Sequence, residues 1–123
     1  ITGKWSGVSA GGCPNHPATY PNNPMYQFRV EQDLVALRVE LKAPKEVQIG
    51  FEILCVEAKN TEAKGYFSKK GSGSYRSGYV VLELENFVAG VYNLIPSTFY
   101  AGVEAPYFLN IYAPTALKVN RLK

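Results

Sequence analysis

Apolar and polar residues alternate one by one along much of the chain, which is the pattern of a strand with one face buried. In Met25–Val30 the residues Tyr26, Phe28 and Val30 share one side, while Met25, Gln27 and Arg29 share the other. Leu34–Leu41 repeats the alternation and predicts Val35, Leu37, Val39 and Leu41 inward, with Arg38 and Glu40 as outward, solvated charges. Pro44 ends that strand, and Val47–Glu57 forms the next, with Gly50 as a bulge or close-packing point. Tyr79–Leu84 is a further strand, and Leu117–Leu122 alternates once more, as a strand closing a sheet would. Gly3–Gly7 opens the chain as a short strand.

Two runs break this simple alternation. Val91–Ile95 is almost wholly apolar and flanked by Gly90 and Pro96, which suits a strand buried on both faces. Proline donates no N–H, so the ladder is predicted to end at Pro96. Tyr107–Tyr112 follows a loop too long for a two-residue hairpin; Tyr107, Leu109 and Ile111 take one side, Phe108, Asn110 and Tyr112 the other. Val8–Pro17 is rich in Gly and Pro and must run irregularly, and Asn22–Pro24 is a second turn. Residues 58–78 lose periodicity and are predicted to form the longest loop, mobile around Lys69–Gly73. Leu34–Lys45 has the one claim to helix, and its β-branched residues and terminal proline argue against it. About eight strands without a helix predict an all-β fold, an antiparallel β-sandwich, with a closed barrel as the alternative.

A length of 123 residues predicts a single domain spanning 1–123 with a hydrophobic core of its own. The opening Ile-Thr-Gly-Lys-Trp, without an initiator methionine, predicts a domain excised from a longer protein. The net charge is only +3, which gives no basis for nucleic-acid binding. That charge is concentrated: residues 57–76 carry Lys59, Lys64, Lys69, Lys70 and Arg76 against Glu57 and Glu62, an excess equal to the whole net charge of +3. These five cations are the candidate binding residues, for an anionic phospholipid surface or for an acidic patch on a neighbouring domain. No apolar run is long enough for a transmembrane segment.

The chemical inventory is thin. His16 is the sole histidine, and Cys13 stands three residues before it in a loop constrained by Pro14 and Pro17, with no predicted helix N-terminus to activate the thiol. No catalytic residues are assigned. Two cysteines and one histidine match no zinc pattern, and the glutamates are scattered, so no metal ligands and no cofactor are predicted. Gly71–Tyr75 has glycines but not the residues of a phosphate loop. Cys55 lies within an apolar run as a small buried hydrophobe; a Cys13–Cys55 disulfide is the alternative to free thiols. The chain has no Asn-x-Ser/Thr acceptor, which favours an intracellular setting. Trp5 is a core plug or a stacking platform. The nine tyrosines admit a carbohydrate-binding reading, although most fall in strand patterns.

Five segments in order carry a resemblance: Gly3-Lys-Trp, Ala10-Gly-Gly-Cys-Pro-Asn15, Asn23-Pro-Met-Tyr-Gln-Phe28, Gly90-Val-Tyr-Asn-Leu-Ile-Pro-Ser-Thr-Phe99 and Tyr107-Phe-Leu-Asn-Ile-Tyr112. Together they resemble the C2-like β-sandwich domain of the calpain cysteine proteases. The wording is most similar to the distal C2-like domain of PalB-type calpains, the calpain-seven group. The resemblance implies a non-catalytic regulatory module of an intracellular, cytoplasmic thiol protease, supporting its activity, positioning or partner binding. Its partners would be the neighbouring domains of the parent protease, another protein or an anionic phospholipid surface. No position here matches the family's catalytic Cys, His and Asn. The acidic loop of classical calpains is replaced by a basic one, which puts calcium control through this domain in doubt.

Overall fold

The computed structural model describes all residues, Ile1–Lys123. Ten strands are present: β1 (Thr2–Trp5), β2 (Tyr26–Val30), β3 (Leu34–Lys42), β4 (Gln48–Ala58), β5 (Lys69–Gly71), β6 (Arg76–Ser77), β7 (Tyr79–Phe87), β8 (Gly90–Thr98), β9 (Ala105–Tyr112) and β10 (Val119–Arg121). They form two antiparallel sheets, one ordered β1-β9-β3-β7 and the other β10-β2-β8-β4-β5, with β6 also on β4. The helical content is two single turns of 3-10 helix, Gly7–Ser9 and Tyr20–Asn22. The fold is the antiparallel sandwich that the alternation predicts.

The core is the space between the sheets. Tyr26, Phe28 and Val30 face it from β2, Ile49, Phe51 and Ile53 from β4, and Tyr107 and Leu109 from β9. Trp5 is 1% exposed, packs its ring 4.6 Å from that of Tyr107 and donates its indole N–H to the Pro96 carbonyl at 3.1 Å. It is a core plug. Phe28, Phe87 and Tyr92 stack at the other end of the core, with ring centroids 4.5–6.2 Å apart. Both cysteines are free thiols, Cys13 buried and Cys55 half-buried.

Four expectations change. The stretch around Lys69–Gly73 is not a free loop: β5 pairs with Glu52–Leu54, β6 pairs with Gln48 and Ile49, and Ser72 exchanges hydrogen bonds with the Phe51 backbone. Backbone pairing organises this stretch, so side-chain periodicity could not reveal it. Val35 points outward, 81% exposed, and Leu34 takes its place in the core. Opposite them Asn86 adopts φ 54°, the left-handed region, which resets the alternation at that end of the β3–β7 pair. Pro96 does not end β8, which runs on to Thr98. It lies opposite Phe51, whose backbone N–H and C=O both turn to Ser72, so no ladder bond is required of Pro96. Glu40 does lie on the outer face, yet it is only 6% exposed.

Gly50 is a close-packing point: a Cβ there would stand 2.8 Å from the Tyr75 ring. The irregularity in β4 lies farther on, between Cys55 and Glu57.

Candidate interaction surface

The structure disperses the five cations that the sequence groups together. Lys59 donates to the Glu31 carbonyl at 2.7 Å. Lys69 and Lys70 are consecutive on β5 and so point to opposite sides. Lys69 turns to Glu52, 3.8 Å away, whereas Lys70 lies over the Phe67 ring, 5.8 Å from its centroid. Arg76 stands on β6 opposite Ile49. Only Lys64 and Lys70 come together, beside one groove along β7.

The Cys13–His16 loop is held by its own hydrogen bonds. The Asn23 amide donates to the carbonyls of Gly12 (2.8 Å) and Tyr20 (2.9 Å) and accepts from the Gly11 N–H (3.2 Å). The His16 ring nitrogen faces the Phe99 carbonyl at 3.2 Å, and Cys13 is buried. Nearby, the Tyr20 hydroxyl donates to Glu52 at 2.5 Å, and burial with that carboxylate holds the phenol well above its ordinary range. Burial also pushes Tyr75 up to about 12. No three His, Cys, Asp or Glu side chains gather into a group able to hold a metal.

The most organised polar site lies on the outer face of the β1-β9-β3-β7 sheet. Cross-strand register sets Glu40 between Val81 and Asn110, Lys42 between Tyr79 and Phe108, and Arg38 between Glu83 and Tyr112. Glu40 is the hub. One carboxylate oxygen accepts from the Tyr79 hydroxyl at 2.8 Å and lies 3.4 Å from the Arg38 guanidinium. The other accepts from the Asn110 amide at 3.3 Å and the Tyr112 hydroxyl at 3.4 Å, with the Lys42 ammonium at 3.5 Å. The Tyr79 hydrogen bond, followed by Asn110 and Lys42, holds the carboxyl below the usual carboxylate range despite partial desolvation. Around this hub the aromatics stay open to solvent: Phe108 is 53% exposed, Tyr112 51% and Tyr79 39%. The face thus offers aromatic surface fixed in place by a saturated carboxylate. The sequence alone assigned Glu40 to solvent; the available signal was its place in an Arg-Val-Glu-Leu-Lys alternation, charges flanking a charge on one face.

The family model for the calpain large subunit, domain III, matches residues 1–112. The chain belongs to the calpain large subunit domain III family. Among individual relatives, this domain III chain is 44% identical over 123 residues to calpain-7 of Sus scrofa and 43% identical to calpain-7 of Homo sapiens. In each case it is covered completely and spans 15% of the relative's length. A putative calpain-like cysteine protease A of Dictyostelium discoideum is 25% identical, with 100% of this chain and 21% of that protein covered. Among solved structures, the pre-peptidase C-terminal domain of a Bacillus anthracis collagenase superposes with a TM-score of 0.59 at 12% identity, over 91% of this chain and 86% of that one, a likeness of fold. No helix of this domain III chain is long and apolar enough to cross a membrane.

Proposed function

We propose that residues 1–123 form one non-catalytic regulatory and interaction module of a larger calpain-type cysteine protease, working inside the cell, in the cytoplasm. It supports that enzyme by docking against neighbouring domains through the Glu40 face. The observation that carries this reading is the arrangement of that face: exposed Tyr79 and Tyr112 held by hydrogen bonds around one buried carboxylate, with exposed Phe108 beside them across from Lys42. Aromatic surface with few rotatable bonds, fixed beforehand, is what docking favours. The free thiols fit the intracellular setting. The phospholipid reading through Lys59, Lys64, Lys69, Lys70 and Arg76 has less support, because only Lys64 and Lys70 of these cations come together.

The test is Phe108→Ser with Tyr112→Ser, which removes the aromatic surface without adding a charge beside Glu40, in the full-length parent protease and in the 123-residue chain. Both side chains are solvent-exposed, so the isolated chain should keep its denaturation midpoint. The parent should lose peptidase activity and gain limited-proteolysis cuts beside this module. Unaltered activity and cutting in the parent would overturn the docking role.

A further inference from the structure

A sandwich leaves sheet edges, and the edges here are unequal. β1 has four residues, β10 three and β5 three, whereas β7 has nine. β7 pairs on one side only, with β3. The Ala43 N–H bonds the Gly78 carbonyl, which fixes the phase of the ladder. By alternation, the N–H and C=O groups of Val80, Leu82 and Leu84 turn to β3, and those of Tyr79, Val81, Glu83 and Glu85 turn outward. No outward group has a hydrogen-bond partner in the molecule. An unpaired edge of this length is a template for another strand, and proteins usually shorten or cover it.

This edge borders a groove of about 630 Å³. Leu82, Leu84 and Phe67 supply its apolar surface, Lys64 and Lys70 its far wall, and Glu83 and Glu85 its outer rim. One end is closed by Gly65, where any Cβ would run into the Asn86 carbonyl oxygen. The charges are asymmetric. Glu83 has Arg38 at 3.8 Å, but Glu85 has no ion-pair partner and its cross-strand neighbour is Ala36.

We propose that the free edge of β7 binds an extended peptide segment as an added strand, one that alternates apolar with basic residues. Backbone groups of Val81, Glu83 and Glu85 supply the hydrogen bonds. Apolar side chains of the added strand turn inward onto Leu82, Leu84 and Phe67. Its basic side chains stand on the outer face beside Glu83 and Glu85, away from Lys64 and Lys70, which would repel them. The site is distinct from the docking face around Glu40: it acts through backbone groups that Phe108 and Tyr112 do not touch, and it stands or falls apart from that reading.

The test uses the 123-residue chain and a fluorescein-labelled peptide of alternating valine and lysine, about seven residues long to match a typical strand. The same peptide N-methylated at alternate residues and a valine–glutamate peptide are the comparisons, read by anisotropy and by hydrogen exchange. The valine–lysine peptide should bind and slow exchange at the Val81 and Glu83 amides, and N-methylation should abolish this. Glu85→Lys should weaken binding about tenfold. Glu83→Pro removes an outward N–H without touching a β3 bond and should weaken binding more than Glu83→Gln, which alters charge alone. Circular dichroism checks that each variant folds, and Glu85→Lys, a surface change, serves if Glu83→Pro does not. Binding that survives N-methylation, preference for the valine–glutamate peptide, or no binding with unprotected Val81 and Glu83 amides would each overturn the proposal.

Discussion

Replacing Glu40 by glutamine keeps the shape of the hub and removes its charge. In the native chain the Tyr79 hydroxyl donates to a carboxylate at 2.8 Å, the shortest of the contacts around it. A hydrogen bond to a charged group contributes about 1.5–3 kcal/mol and a neutral one about 0.5–1.5 kcal/mol. The Asn110 and Tyr112 contacts, at 3.3 and 3.4 Å, add little. The side chains of Arg38 and Lys42 are 45% and 52% exposed, so solvent screens their ion pairs and they add little. Glu40→Gln should therefore cost about 1–1.5 kcal/mol near neutral pH.

The pH dependence makes the reasoning refutable. The folded-state pKa of Glu40 lies below the ordinary value of 4.5. Its contribution is then present in full above that ordinary value and is lost as pH falls through the folded-state value, where the protonated carboxyl resembles the amide. Urea denaturation at a series of pH values, followed through the buried Trp5, should show native and Glu40→Gln chains far apart near neutrality and converging in acid, with the same slope on denaturant. A gap that stays constant from about pH 7 down to about pH 2 would mean that charge at Glu40 does not stabilise the fold.

Two further outcomes follow from the core. Leu94 is 0% exposed in β8, and Leu94→Ala should lower stability by about 2–5 kcal/mol in the same denaturation assay, with no loss of strand signal in native buffer. Burial raises the phenol pKa of Tyr20, Tyr75, Tyr92 and Tyr107, so the folded state holds protons that the unfolded state releases. Stability should therefore be intact below about pH 10 and fall above it, with the tyrosinate absorbance of these four rings appearing together with unfolding.

The sequence disclosed what side chains decide. Tyr26, Phe28 and Val30 alternate into the core, Trp5 plugs it, and Val91–Ile95 is apolar because residues on both faces of β8 are buried. Backbone-driven features stayed hidden. β5 is Lys-Lys-Gly, a strand by virtue of its hydrogen bonds to β4, with no apolar face to announce it. Val35 looked like part of its strand's alternation, and a left-handed Asn86 on the facing strand moved it outward. The candidate cations counted correctly as charge, but charge along the chain carries no direction, and a strand sends neighbours such as Lys69 and Lys70 to opposite sides. Glu40 was misassigned because burial on an outer sheet face depends on what stands on the two adjoining strands, Tyr79 and Asn110, which are distant in sequence.

The placement of β10 bears on where this module can be cut. The family match stops at residue 112, yet Val119–Arg121 pairs with Tyr26–Phe28 and seals the edge of β2. The last residues bond back as well: the Met25 N–H reaches the Lys123 carbonyl at 2.8 Å, and the Leu122 N–H reaches the Met25 carbonyl at 2.7 Å. A recombinant fragment trimmed to the shared segment would leave the Gln27 side of β2 bare and lose the clasp on Met25, inviting sheet-to-sheet aggregation. A fragment made for expression or transplanting should keep Val119–Lys123 rather than stop at Tyr112.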